Sequence, residues 1–163
     1  MRKYAVLMML GLISMLLIGL QLAVSQAPEP TIEAEVNINP QVLNLKQRNV
    51  ITAHVSNLTK DSVSYDIRDI NISTIRLYHE GALVAEPIRS TVAGNTLIVK
   101  FDATAVADYV WSIMYHMGIS QVMPQEDYTM EFTVSGKLLN DEQFAGSDII
   151  KIILPQIPKP NNA

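Results

Sequence analysis

Two tripeptides, Asn57-Leu58-Thr59 and Asn71-Ile72-Ser73, place a side-chain amide two residues before a hydroxyl. This is the N-glycosylation sequon, so Asn57 and Asn71 are candidate sites of sugar attachment if the chain leaves the cytoplasm. Other reactive groups are sparse. His54, His79 and His116 lie far apart in sequence, without the helical His-x-x-x-His spacing that brings two imidazoles to one zinc ion. Asp61, Asp66 and Asp69 gather in one stretch, but their spacing fits no calcium loop. Short carboxylates in such a stretch serve turns, accepting nearby backbone N–H groups. No Gly-x-Ser-x-Gly elbow presents a serine nucleophile, and no glycine-rich loop is built for phosphate. Glu126-Asp127 and Asp141-Glu142 are adjacent pairs in loop-like segments, whereas a glycosidase needs two carboxyls opposed across a cleft. The chain has no cysteine, which removes disulfides, thiolate nucleophiles and cysteine zinc sites. The reading is a protein without catalytic residues, metal ligands or cofactor.

Three aromatic residues, Tyr109, Trp111 and Tyr115, are the candidate contact surface. Tyr and Trp join a large apolar area to a polar tip, which suits contact with protein or sugar. The alternative for them is packing, because Tyr109 and Trp111 flank the apolar stripe of a helix and the neighbouring methionines fill gaps.

The segment that must carry these residues to their place of work is at the start. Arg2 and Lys3 precede an apolar run from Tyr4 to Leu20, extended by Leu22, Ala23 and Val24. A basic start, an apolar stretch and small residues near Ser25 are the layout of an export signal. Ala23 and Ser25 suit the −3 and −1 positions of a cut before Gln26. The same run, about 21 residues, also suffices to cross a hydrocarbon layer of roughly 30 Å as an uncleaved anchor, its basic end inside. Residues 1–25 are thus a signal peptide or a signal anchor, and the membrane is met only through residues 4–24 if they are retained. Net charge is −4, and falls to −6 without Arg2 and Lys3. The other basic residues are scattered, which argues against nucleic acid as a partner.

Roughly 135 residues remain, enough for one domain with its own core. Residues 26–30, with Pro28 and Pro30, read as a stiff linker. From residue 31 apolar side chains recur at every second position, the mark of half-buried strands. Ile32, Ala34, Val36 and Ile38 form the first such series, ended by Pro40, and Val42, Leu43 and Leu45 a short second one. Ile51, Ala53 and Val55 follow, then a polar stretch from Asn57 to Arg68 read as loop. Ile75 and Leu77, then Leu83 to Ile88 after a His79-Glu80-Gly81 turn, then Leu97, Val99 and Phe101 continue the pattern. Asp102 is placed to cap a helix over about 103–117, with Ala103, Val106, Ala107, Val110, Ile113, Met114 and Met117 on one stripe and Gly118 at its stop. Tyr128, Met130, Phe132 and Val134 mark the clearest strand. Asn140-Asp141 is the following turn, and the strand from Asp148 to Leu154, apolar on both faces, reads as central. Residues 155–163, with Pro155, Pro158 and Pro160, form a tail.

Several segments together resemble an immunoglobulin-like module of bacterial and archaeal secreted and cell-surface proteins. They are Val36-Asn37-Ile38-Asn39-Pro40 with Leu43-Asn44-Leu45-Lys46, Ile51-Thr52-Ala53, Tyr65 to Ile70 running into Ser73-Thr74-Ile75-Arg76-Leu77, Val99-Lys100-Phe101-Asp102, Val134 to Leu138, and Phe144-Ala145-Gly146-Ser147-Asp148. They cover most of residues 34 to 153. Such modules commonly bear an aspartate-rich calcium loop before the Val-Lys-Phe-Asp strand. Here that stretch is Thr91 to Thr96, without a carboxylate, so the resemblance carries no calcium site. The segment Val110 to Pro124 is longer than the usual connection.

The fold expected over residues 31–154 is an all-β, immunoglobulin-like antiparallel sandwich of about seven strands with one inserted helix. The function expected is that of a non-catalytic secreted or cell-surface structural or interaction module, with an unidentified protein or glycan as partner. Two rivals stand beside it. One is a carbohydrate- or cation-binding module using residues 109–127 or the Asp61–Asp69 stretch. The other is a self-associating filament subunit that lends residues 31 to 39 to a neighbour's sheet.

Overall fold

The structure, a computed structural model, describes residues 31–46, 50–116 and 128–153. All belong to the unit that begins at Thr31. The export segment, the linker, the stretch around Met117 to Asp127 and the proline-rich tail fall outside the described residues. Ten strands and one helix follow in order: β1 (Ile32–Asn39), β2 (Val42–Asn44), β3 (Val50–Lys60), β4 (Val63–Ser64), β5 (Ile70–His79), β6 (Ala82–Ala85), β7 (Pro87–Ala93), β8 (Thr96–Asp102), α1 (Ala103–His116), β9 (Tyr128–Leu138) and β10 (Gln143–Ile153). A short 3-10 turn, Ile67–Asp69, precedes β5.

The two-layer sandwich is not what forms. The strands make one mixed sheet in the order β6-β5-β9-β10-β1-β3-β8-β7, with β2 added beside β10 and β4 beside β3. β1 is the joint. It runs parallel to β10 through Ile32–Phe144 and Glu33–Ala145, and antiparallel to β3 from Glu33 to Asn39. β2 is also parallel to β10, so the sheet is not purely antiparallel.

The order of the strands requires the sheet to curl. Eight strands laid flat would separate β6 from β7 by about 34 Å at the usual spacing of roughly 4.8 Å. Only Glu86 separates these strands in the chain, a reach of about 7 Å. The two ends therefore meet, and β5 touches β7. Arg76 of β5 holds the crossing residue, its Nε lying 3.1 Å from Glu86 Oε1. The result is a half-barrel around a single apolar cluster to which β1, β3, β5, β8, β9, β10 and α1 all contribute. Phe101, Phe132 and Phe144 are its largest enclosed side chains, and no buried residue among those described is polar or charged.

Two residues of β10 let β1 serve as joint. Gly146 has no side chain where β1 crosses it: a Cβ there would lie 2.1 Å from Ala34 O. Beyond that point β1 leaves β10 and β2 arrives. The Asp148 carboxylate fills the parting, accepting Ile38 N and Gln41 Nε2 through Oδ2, each at 2.7 Å, and Ile149 N through Oδ1 at 2.8 Å.

β10 is central by its pairing, yet only one of its faces is covered, since Ile149 and Ile153 are exposed. The run Leu83 to Ile88 divides into β6 and β7 at opposite ends of the ladder. The polar stretch after Val55 begins as strand, because β3 continues to Lys60. A bulge at Asn57 (φ 48°) shifts the inward parity from Ile51, Ala53 and Val55 to Leu58, which hides the strand from a period-two reading.

The β9–β10 turn is tied to β3 by Glu142, which accepts from Asn140 Nδ2 at 2.7 Å and from Lys60 Nζ at 3.3 Å. These two donors hold its carboxyl below the ordinary 4.5, against a smaller opposing effect of burial. A carboxyl with a lowered folded pKa adds stability above its unfolded value and loses it as pH falls through the folded one. Melting curves from pH 7 to pH 3 should therefore show part of the acid destabilisation, confined to below about pH 4.5, disappear in Glu142→Gln. An unchanged pH profile would contradict this.

Candidate functional site

α1 starts where Asp102 Oδ1 accepts Thr104 N at 2.8 Å, the cap the sequence indicates. Ala103, Val106, Ala107, Val110 and Met114 form its buried face. Trp111 and Tyr115, four residues apart, lie together on an exposed flank of the helix beside that face and are 41 % and 75 % exposed. Asp108 and Ser112 are exposed with them.

Tyr109 does not join this pair. It is half-buried and packs edge-on against the His79 ring, with centroids 5.9 Å apart. Its hydroxyl donates to His79 O at 3.3 Å. Desolvation first, and the nearby Glu80 carboxylate second, raise its pKa above the ordinary 10.0. The proposed aromatic trio thus splits into an exposed pair and one packing residue.

His79 ends β5 and faces a turn in which Glu80 (φ 48°) and Gly81 (φ 80°) both adopt left-handed backbone, as a two-residue hairpin loop requires. Its Nδ1 lies 2.7 Å from Glu131 O. A carbonyl can only accept, so Nδ1 carries the proton. Beside it is an open concavity of about 350 Å³ bounded by His79, Glu80, Thr129, Glu131 and Thr133. The sequence marked the turn but gave no sign that β9 would lie against it, because that contact is set by strand order.

The other histidines stand on separate elements, His54 in β3 and His116 at the end of α1. Asp66 caps the 3-10 turn by accepting Arg68 N at 2.9 Å, and Asp61 shares with Ser62 the left-handed turn between β3 and β4. Among the described residues no group of three or more His, Asp or Glu is placed to hold a metal ion. No helix among them is long and apolar enough to cross a membrane.

The two sequons differ in setting. Asn57 sits in the β3 bulge, and its Nδ2 donates to Glu35 Oε2 at 2.5 Å. Asn71 is the last β5 residue paired with β9, opposite Lys137, before three extra residues swing β5 out of the ladder until Arg76. Thr74 fills the gap from its own side chain, accepting Lys137 N at 2.8 Å and donating to Asn71 O at 2.7 Å.

Comparison with known protein families finds no match, and comparison with curated proteins likewise finds none.

Proposed function

We propose that this chain is a non-catalytic, exported module of the cell surface that acts by contact, either with an envelope protein or with a surface glycan. The observation that carries the reading is the outward pair Trp111 and Tyr115 on a helix whose other face is committed to the core. Large aromatics exposed together are the residues that most often anchor an interface. Residues 2 to 24 support export. Strand exchange is less favoured, because β1 is engaged on both sides within its own sheet.

The test combines location with binding. Cells producing the full chain are fractionated, and purified chain is titrated onto washed envelopes. Recovery outside the cytosol and saturable envelope binding are expected. Trp111→Ser with Tyr115→Ser should retain the circular dichroism spectrum and bind at least about thirtyfold more weakly, as loss of an anchor worth about 2 kcal/mol implies. Cytosolic recovery, or equal binding by the double variant, would refute the proposal.

A further inference from the structure

The geometry points to Asn71, and not Asn57, as the N-glycosylation site of the folded protein. A transferase must reach the amide nitrogen and the two residues that follow it. At Asn71 both conditions are met. Ile72 to Ile75 leave the β9 ladder, Ile72 is 43 % exposed, and Ser73 is exposed. Asn71 Oδ1 accepts from Ser73 Oγ at 2.7 Å and from Ser73 N at 3.3 Å. The oxygen end of the amide is thereby fixed, while Nδ2 of this half-buried side chain makes no hydrogen bond and is not fully enclosed. Ser73 is the positioning residue.

At Asn57 the second condition fails. The side chain is exposed, its Nδ2 hydrogen-bonded at the surface to Glu35, but Leu58 is 1 % exposed and Thr59 is paired on both sides, with Glu33 of β1 and Ser64 of β4. Presenting this tripeptide to an enzyme would require three strands to separate.

The donor class is a glycan linked to a lipid pyrophosphate. The bond from sugar C1 to the pyrophosphate oxygen breaks and its electron pair leaves with the pyrophosphate. The bond from C1 to Asn71 Nδ2 forms, and Nδ2 gives one proton to a base of the transferase. The attached glycan would stand beside the seam where β5 meets β7, next to the exposed Ile72 and Ile88.

In the cell this modification rests on the export reading, so the test is performed in a tube, where export plays no part. Folded full-length chain in mild detergent is incubated with a purified oligosaccharyltransferase and its lipid-linked glycan, followed by intact mass and peptide mapping. One glycan at Asn71 is expected, lost in Asn71→Gln and in Ser73→Ala and kept in Asn57→Gln. Urea-unfolded chain should be modified at both asparagines, showing that folding makes the selection. An unmodified folded chain, or a glycan at Asn57 of the folded chain, would overturn the assignment, whereas cytosolic recovery in cells would bear on export alone.

Discussion

Gly146→Ala is expected to cost at least about 3 kcal/mol of folding stability, a large part of the 5–15 kcal/mol typical of a domain. The cause is steric. A Cβ at this position would stand 2.1 Å from Ala34 O and 2.6 Å from Val36 Cγ2. The first obstacle is backbone of β1, itself held by β3 on its other side, so relief means parting the joint of the sheet. Gly136 is the internal comparison. There a Cβ would meet the Phe144 ring edge at 2.8 Å, and a ring can tilt where a strand cannot. Urea unfolding of the two alanine variants should rank Gly146→Ala well below Gly136→Ala, with the difference in midpoint at unchanged slope. Equal midpoints would mean that β1 does not cross β10 at Gly146.

Asp148→Ala is expected to cost about 2–3 kcal/mol. Its carboxylate accepts three hydrogen bonds, two of them from backbone N–H groups. Hydrogen bonds to a charged group are worth roughly 1.5–3 kcal/mol each, and water recovers part of that at a half-buried position. The loss should also be local. Amide exchange at Ile38 and Ile149 should accelerate, while Ile51 and Phe101, one and two strands away, keep their protection. Uniform acceleration, or none, would contradict the role given to Asp148.

The burial of side chains was legible in the sequence to a large extent, and the arrangement of strands was not. Ile32, Val36 and Ile38, and later Phe132 and Val134, point inward as their period-two spacing indicates. The Asp102 cap and the stripe of Ala103, Val106, Ala107, Val110 and Met114 read correctly, with Ile113 only half-buried at its margin, because a helix is decided by neighbours a few residues away. Alternation states that one face of a strand is covered, however, and leaves open whether the cover is a second sheet or the same sheet curling back. The decisive pairs, Ile32 with Phe144 and Lys151 with Val42, join residues more than a hundred positions apart. Bulges were the second blind spot. An added residue at Asn57, and three added between Asn71 and Arg76, reverse or suspend the alternation without any Gly or Pro to announce it. At the candidate site the same division holds. The outward spacing of Trp111 and Tyr115 is a local helical property. The turning of Tyr109 toward His79 depends on where the β5–β6 hairpin lies, which no local pattern encodes.

β1 joins β10 and β3 into one continuous sheet that curls around a single apolar interior. NMR of isotope-labelled protein tests it most directly, through backbone NOEs that report which strands are neighbours. Parallel-type contacts from Ile32 and Glu33 to Phe144 and Ala145 are expected, together with antiparallel contacts from Val36 and Ile38 to Val55 and Ala53. Contacts of β1 with β3 alone, with none to Phe144 or Ala145, would mean that the sheet is broken at β1.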